Sequence, residues 1–277
     1  MDTPKSLLQL AAHQAAYQQQ LREQVPYYKM VAPIVEGFLR QVINHGAFYI
    51  RVHTNALEGI LSSQRIKSMM ETGRGATNGG KDIRRQVTEA LFGCRASKLL
   101  PSEFPKYGFL SQPDAEKDLY VNADMWCQYG DVSIQLKKER LFHRTTLCVG
   151  NSVNMGRCYM LVPTRVDDVR ATCMTGLPHD GTPLVRLPDP CFCYAMLTQW
   201  VLEHKLTVSN FPMIEEVAAD MPPYFEFFEL QYHGDIDITQ DVERIDVIPS
   251  SPEEQEQLLQ LKERFAAIGV KMYVHVR

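Results

Sequence analysis

No stretch of this 277-residue sequence approaches the roughly 20 consecutive apolar residues that a membrane-spanning helix needs, so no membrane partner is expected. An excess of charge of one sign is also missing. Lys and Arg number 29 against 33 Asp and Glu, a formal net charge of −4, and without a basic field nucleic acid is not an expected partner. The 16 Gly and 16 Pro lie scattered without period, which excludes a collagen-like chain. The seven cysteines (Cys94, Cys127, Cys148, Cys158, Cys173, Cys191, Cys193) are odd in number and irregular in spacing, so no disulfide framework is expected and most read as small hydrophobes. Met1-Asp2-Thr3-Pro4-Lys5 lacks the basic start and apolar core of a cleaved signal peptide. The expected compartment is therefore a reducing cytosol.

What is present is an ordinary globular composition, 45% hydrophobic and 22% charged, with 12 Phe and 12 Tyr. Residues 4–24 read as an Ala/Gln-rich helix ending before Val25-Pro26. Val31, Ile34, Val35, Phe38, Leu39 and Val42 give a second helix its apolar face, and Asn44-His45-Gly46 stops it. Ala47–His53 reads as a strand, followed by a helix that Thr54 or Asn55 can cap. A Gly/Asn loop over Gly73–Asp82 leads into a helix through Phe92. Strands are expected at Asp131–Lys137, Thr145–Val149, Tyr224–Tyr232, Ile245–Pro249 and Val270–Val276. Helices are expected at Cys191–His204 and Pro252–Ala267. Strands and helices mix without βαβ alternation, which predicts an α+β fold.

Three motifs fall short of the chemistry they suggest. Gly75-Ala76-Thr77-Asn78-Gly79-Gly80-Lys81 has the letters of a phosphate loop, but Asp82 stands where Ser or Thr should hold magnesium. That loop also follows a helical segment instead of a strand. Cys191-Phe192-Cys193 with His179 or His204 lacks a second ligand pair at zinc spacing, so no metal is expected. No Gly-x-Ser-x-Gly elbow marks a serine nucleophile.

Two charged residues in apolar strands carry more weight. Period-2 alternation sets Phe225, Phe227, Glu229 and Gln231 on one face, and a carboxylate among aromatics is costly unless hydrogen-bonded or used. Arg51, within Phe48-Tyr49-Ile50-Arg51-Val52-His53, needs a carboxylate or a phosphate for its planar fork. Between them lie Tyr107-Gly108-Phe109-Leu110-Ser111 and Tyr129-Gly130-Asp131-Val132-Ser133-Ile134-Gln135-Leu136.

Taken in order, these segments resemble the mono-ADP-ribosyltransferase superfamily, in its branch with an Arg, a Ser and a Glu on three core strands. The resemblance covers about residues 47–248, with a poorly matched insertion at 150–220. It is nearest to bacterial effector transferases, those that modify ubiquitin on a threonine among them. It implies a split, mixed β core with flanking helices as a catalytic domain over 46–277, preceded by an N-terminal helical extension over 1–45. NAD is then a substrate and no metal is needed. The implied catalytic residues are Glu229, Arg51 and Ser111; those holding NAD are Arg51, His53, Tyr107, Phe109, Ser111 and Glu229. The implied partner is a protein acceptor, with host ubiquitin the foremost example, reached through a specialised secretion system.

Within that resemblance, Glu229 offsets the positive charge that grows on the ribose as the nicotinamide bond breaks, the problem a glycosidase carboxylate solves. Arg51 clamps the pyrophosphate, Ser111 orients Glu229, and Tyr107 and Phe109 supply aromatic walls. Two departures matter. Gln112-Pro113 replaces the family's Thr-Ser after Ser111, which leaves open a second reading, a non-catalytic binding module on the same fold. Phe227 stands two residues before Glu229, where arginine-modifying members carry an acid, so Thr, Ser or Asn is the expected acceptor side chain.

Overall fold

The computed structural model describes residues 3–10, 43–73, 80–111, 129–149 and 228–275, together with positions 12, 15, 19, 22, 23 and 33. The expected helices over 4–24 and 31–43 fall largely outside these residues, and the expected helix over 191–204 and residues 224–227 do so entirely. The chain divides into two compact units. Met1–Asn44, Gly79–Leu99 and Cys148–Glu229 make the first; His45–Asn78, Leu100–Leu147 and Leu230–Arg277 make the second.

Aromatic and β-branched residues build the strands. They are β1 (Ala47–Val52), β2 (Arg65–Ile66), β3 (Lys106–Ser111), β4 (Val132–Leu136), β5 (Thr145–Val149), β6 (Phe228–Tyr232), β7 (Ile236–Asp237), β8 (Val242–Val247) and β9 (Met272–Val274). Seven form one sheet in the order β5-β6-β3-β1-β4-β8-β9, and β2 pairs with β7 separately. The β1–β3, β1–β4 and β4–β8 pairs are antiparallel, whereas β8–β9 is parallel. The architecture is thus mixed α and β around a mostly antiparallel sheet.

Among the described residues, the α-helices with defined bounds are α1 (Leu57–Ser63), α2 (Met69–Thr72), α3 (Gly80–Phe92), α4 (Lys138–Leu141), α5 (Ile238–Asp241) and α6 (Pro252–Ala267). A parallel β8–β9 pair needs a crossover, and α6 supplies it. Ser251 caps α6 by accepting from Glu254 N at 3.2 Å, and Pro252 opens it, as an N-terminal proline should. At α1 the expected cap is not used: a 3₁₀ turn over Thr54–Ala56 intervenes and Ala56 precedes the helix without a side-chain cap. Thr54 instead binds Asp131, its N–H donating to Oδ1 at 2.9 Å and its hydroxyl to Oδ2.

In the first unit, α3 buries Arg84, Val87, Thr88 and Phe92, the stripe that helical spacing dictates. Glu89 then accepts from Ala96 N at 2.7 Å and fixes the turn beyond the helix. Cys94 is buried there, and burial raises its thiol pKa, which makes it an inert hydrophobe. Gly80, Lys81 and Asp82 belong to the first turn of α3, and helix α2 precedes the glycine loop, so the strand context of a phosphate loop is absent.

Candidate functional site

Paired residues on neighbouring strands point to the same side of a sheet, so register assigns every side chain to a face. Phe48, Ile50, Ile134, Leu136, Ile245 and Val247 line one face and are apolar and buried. The other face is mixed. Its pairs run Ala47↔Ser111 and Tyr49↔Phe109 between β1 and β3, then Tyr49↔Gln135 and Arg51↔Ser133 between β1 and β4. Beyond β4 the pairs Ser133↔Asp246 and Gln135↔Arg244 continue it onto β8. Tyr107, two residues before Phe109, joins the same side. Arg51, Tyr107, Phe109 and Ser111 therefore share one face of adjacent strands in the second unit.

Arg51 is half-buried, and its Nη1 donates to Gly130 O at 3.3 Å. Gly130 has φ +120°, a region closed to other residues, and a Cβ there would lie 2.1 Å from Val52 O. The backbone can approach Arg51 in this way only because residue 130 is glycine. The Asp131–Thr54 bonds close the same junction from the other side, tying the end of β1 to the start of β4. His53 lies just past β1 and is exposed.

Phe109 is 4% exposed and stacks on Tyr49 with centroids 5.6 Å apart at 19°. Tyr107 and Ser111 are more open, each half-buried. Gln112 and Pro113 lie outside the described residues. Glu229 is a buried carboxylate on β6, 4% exposed, and is the last residue of the first unit.

Beyond Glu229, the chain is held by Gln231, which strand alternation sets on the Glu229 face, and by groups that sequence reading did not single out. Gln231 accepts at Oε1 from the Thr146 hydroxyl at 2.9 Å, and His233 Nε2 lies 3.0 Å from the same oxygen. Burial, with Lys106 and Arg144 nearby, pushes His233 down to about 3, so the ring is neutral at pH 7. Lys106 Nζ donates to Ser102 O at 2.8 Å and Gly234 O at 2.7 Å, and burial lowers its pKa to about 8. Arg144 donates to His233 O at 2.8 Å, to Asp235 O, and to Asp241 Oδ2 at 2.9 Å. These two cations brace the turn after β6 from β3 and from the residue before β5. A Lys at a strand start and an Arg next to Thr145-Thr146 were their only sequence signals, and neither distinguishes a buried brace from a solvated charge.

Asp246, without solvent exposure, takes Arg244 in a bidentate pair (2.8 and 2.7 Å) and His275 Nε2 at 2.8 Å. Arg244 also lies over the Tyr273 ring, 4.8 Å from its centroid. Its fork is therefore spent on protein groups. A cleft of about 460 Å³ lies where α1 and α6 meet, floored by Leu258 and Leu261 and edged by the Glu58–Arg264 ion pair at 2.7 Å. No expected site residue lines it.

Among the described residues no group of three or more His, Cys, Asp or Glu could hold a metal, and no helix is long and apolar enough to cross a membrane. Cys191, Cys193, His179 and His204 fall outside those residues. No protein-family model matches the chain, and no curated protein matches it.

Proposed function

We propose that this protein transfers ADP-ribose from NAD to a side chain of a protein acceptor. The observation that carries the reading is the register placing Arg51, Tyr107, Phe109 and Ser111 on one face of β1 and β3. The strand next to β3 in the sheet, β6, carries the buried carboxylate Glu229. A buried carboxylate, an anchored guanidinium and an aromatic pair are the groups needed to hold a dinucleotide and stabilise a cation at its ribose.

In the proposed reaction the bond between ribose C1′ and the nicotinamide nitrogen breaks, and nicotinamide leaves with the electron pair. The acceptor oxygen or nitrogen forms a new bond to C1′ and gives up its proton to solvent water. Glu229 stabilises the positive charge developing on the ribose. Arg51 binds the pyrophosphate, Ser111 orients Glu229, and Tyr107 supplies the more accessible aromatic wall. His53, exposed just past β1, offers a further polar contact to the bound dinucleotide. The proposed setting, drawn from the resemblance alone, is a bacterial effector acting in host cytosol, with ubiquitin as the first acceptor to try.

Gln112-Pro113 supports a second reading, a protein-binding module that keeps this fold without catalysis. Incubation with isotopically labelled NAD and candidate acceptors separates the two. A mass increase of one ADP-ribose on an acceptor, mapped to one residue, supports the transferase. Absence of both transfer and NAD hydrolysis supports the binding module.

A further inference from the structure

The residues that lead into β4 grip the end of β1, and the grip includes the peptide that Arg51 touches. Arg51 Nη1 donates to Gly130 O at 3.3 Å. That carbonyl belongs to the same planar unit as the Asp131 N–H, so the placement of Asp131 sets where the oxygen points. Asp131 is itself held at both carboxylate oxygens. Thr54 N–H donates to Oδ1 at 2.9 Å and the Thr54 hydroxyl donates to Oδ2. On the other flank Gly130 lies against β1: a Cβ there would meet Val52 C at 2.2 Å and His53 N at 2.6 Å. All of these residues belong to the second unit.

An Asp that only capped the turn at Thr54 would stabilise the fold and do nothing for Arg51. Asp131 does more, because its own peptide carries the carbonyl that the guanidinium holds. The β1–β4 ladder begins at Val52↔Val132, so Gly130 lies outside it. A glycine peptide beyond a ladder turns freely unless its neighbour is fixed, and the two bonds to Thr54 fix that neighbour. A guanidinium has its five N–H donors in one plane, so a carbonyl that takes one of them orients the others.

We propose that Asp131 is a positioning residue for Arg51: clamped by Thr54, it fixes the Gly130 carbonyl that orients the guanidinium toward a bound anion. The proposal rests on the reading that Arg51 binds the NAD pyrophosphate.

Steady-state kinetics of NAD cleavage by the full chain provides the first test, on variants whose folding circular dichroism verifies. Asp131→Ala should raise KM about fivefold and leave kcat within about twofold, the pattern of weakened ground-state binding. Thr54→Val, which keeps the N–H bond and loses the hydroxyl, should raise KM less, and Thr54→Ser should restore it. Because Asp131 acts through the guanidinium, adding Asp131→Ala to Arg51→Ala should raise KM no further. An unchanged KM in Asp131→Ala, a fall in kcat alone, or additive effects in the double variant overturns the positioning role. A second readout needs no NAD: NMR of the ¹⁵N-arginine-labelled chain, with Arg51 assigned by its loss in Arg51→Ala. The Arg51 Nη signals should be separate in wild type, merge in Asp131→Ala and stay separate in Thr54→Ser. Signals that Asp131→Ala leaves unchanged overturn the proposal. A wild-type chain that neither binds nor cleaves NAD sinks the proposed function, and the Nη signals then decide by themselves whether Asp131 orders Arg51.

Discussion

The Tyr232 phenol donates to the carbonyl of Tyr49 at 3.1 Å, reaching from β6 over β3 to β1. Gly108 of β3 lies beneath the path: a Cβ there would sit 2.0 Å from Tyr49 O and 2.7 Å from Tyr232 Cε2. The Tyr232 ring also packs against Phe48 at 5.8 Å. Burial raises the phenol pKa well above its ordinary value, so the group stays protonated and donates at neutral pH.

Gly108→Ala should therefore cost about 3 kcal/mol or more, at or beyond the upper end of overpacking penalties, because the obstruction is backbone and cannot swing away. Tyr232→Phe keeps the ring and loses one hydrogen bond, for about 1 kcal/mol. Urea denaturation midpoints measure both. Equal midpoints for Gly108→Ala and wild type would show that the strands are not so close.

His233 makes the protein acid-sensitive. Its pKa falls from 6.5 in the unfolded chain to about 3 in the folded one. Between those values the unfolded state binds a proton that the folded state refuses. Its contribution is thus fully present above pH 6.5 and is lost as pH falls toward 3, with a slope of up to about 1.4 kcal/mol per pH unit. His233→Gln keeps a donor for Thr146 and cannot titrate, so its stability should vary less across this window. Denaturation curves from pH 7 to pH 4 provide the comparison, and parallel curves for the two proteins would contradict it.

Arg51→Ala should raise KM for NAD about tenfold while kcat changes little, since an anion clamp acts in ground and transition states alike. Gly130→Ala should move KM in the same direction, because the added Cβ displaces the carbonyl that Arg51 grips. Steady-state kinetics on folded variants decides this. A fall in kcat alone would place Arg51 in the chemistry and not in binding.

Much of the sheet was legible in the sequence, and the reasons are local. Strands β1 and β5 and helix α6 follow from β-branched runs and from a Ser-Pro start, and they stand within a residue of expectation. β8 begins three residues earlier than expected, at Val242, because a bulge between Gln135 and Leu136 extends its pairing past the polar Glu243 and Arg244. The two-residue strands β2 and β7 were invisible, since pairing at a distance and not propensity makes them. The shared face of Arg51 and Ser111 was legible only as strand parity; the register that unites β1 and β3 is a tertiary fact. The contacts of Thr146 with Gln231 and His233 had no sequence signal, because they join residues 85 and 87 positions apart.

The acceptor prediction follows from Phe227. A guanidinium must shed a proton to attack, and an acid two residues before the catalytic Glu can position it or take that proton. Phenylalanine does neither, so agmatine, an arginine mimic, should be a poor acceptor and mapped sites should be Thr, Ser or Asn. Efficient agmatine modification would overturn the acceptor preference and leave the transferase reading in place.

NAD cleavage by Glu229→Gln beside wild type tests the central claim most directly. The substitution keeps the side-chain shape at a buried position and removes its charge, so folding should be preserved, which circular dichroism and the unfolding midpoint verify. Nicotinamide release should be robust for wild type and fall by at least about a hundredfold in the variant, the scale of a lost electrostatic stabiliser. A folded Glu229→Gln variant that releases nicotinamide at the wild-type rate would contradict the assignment.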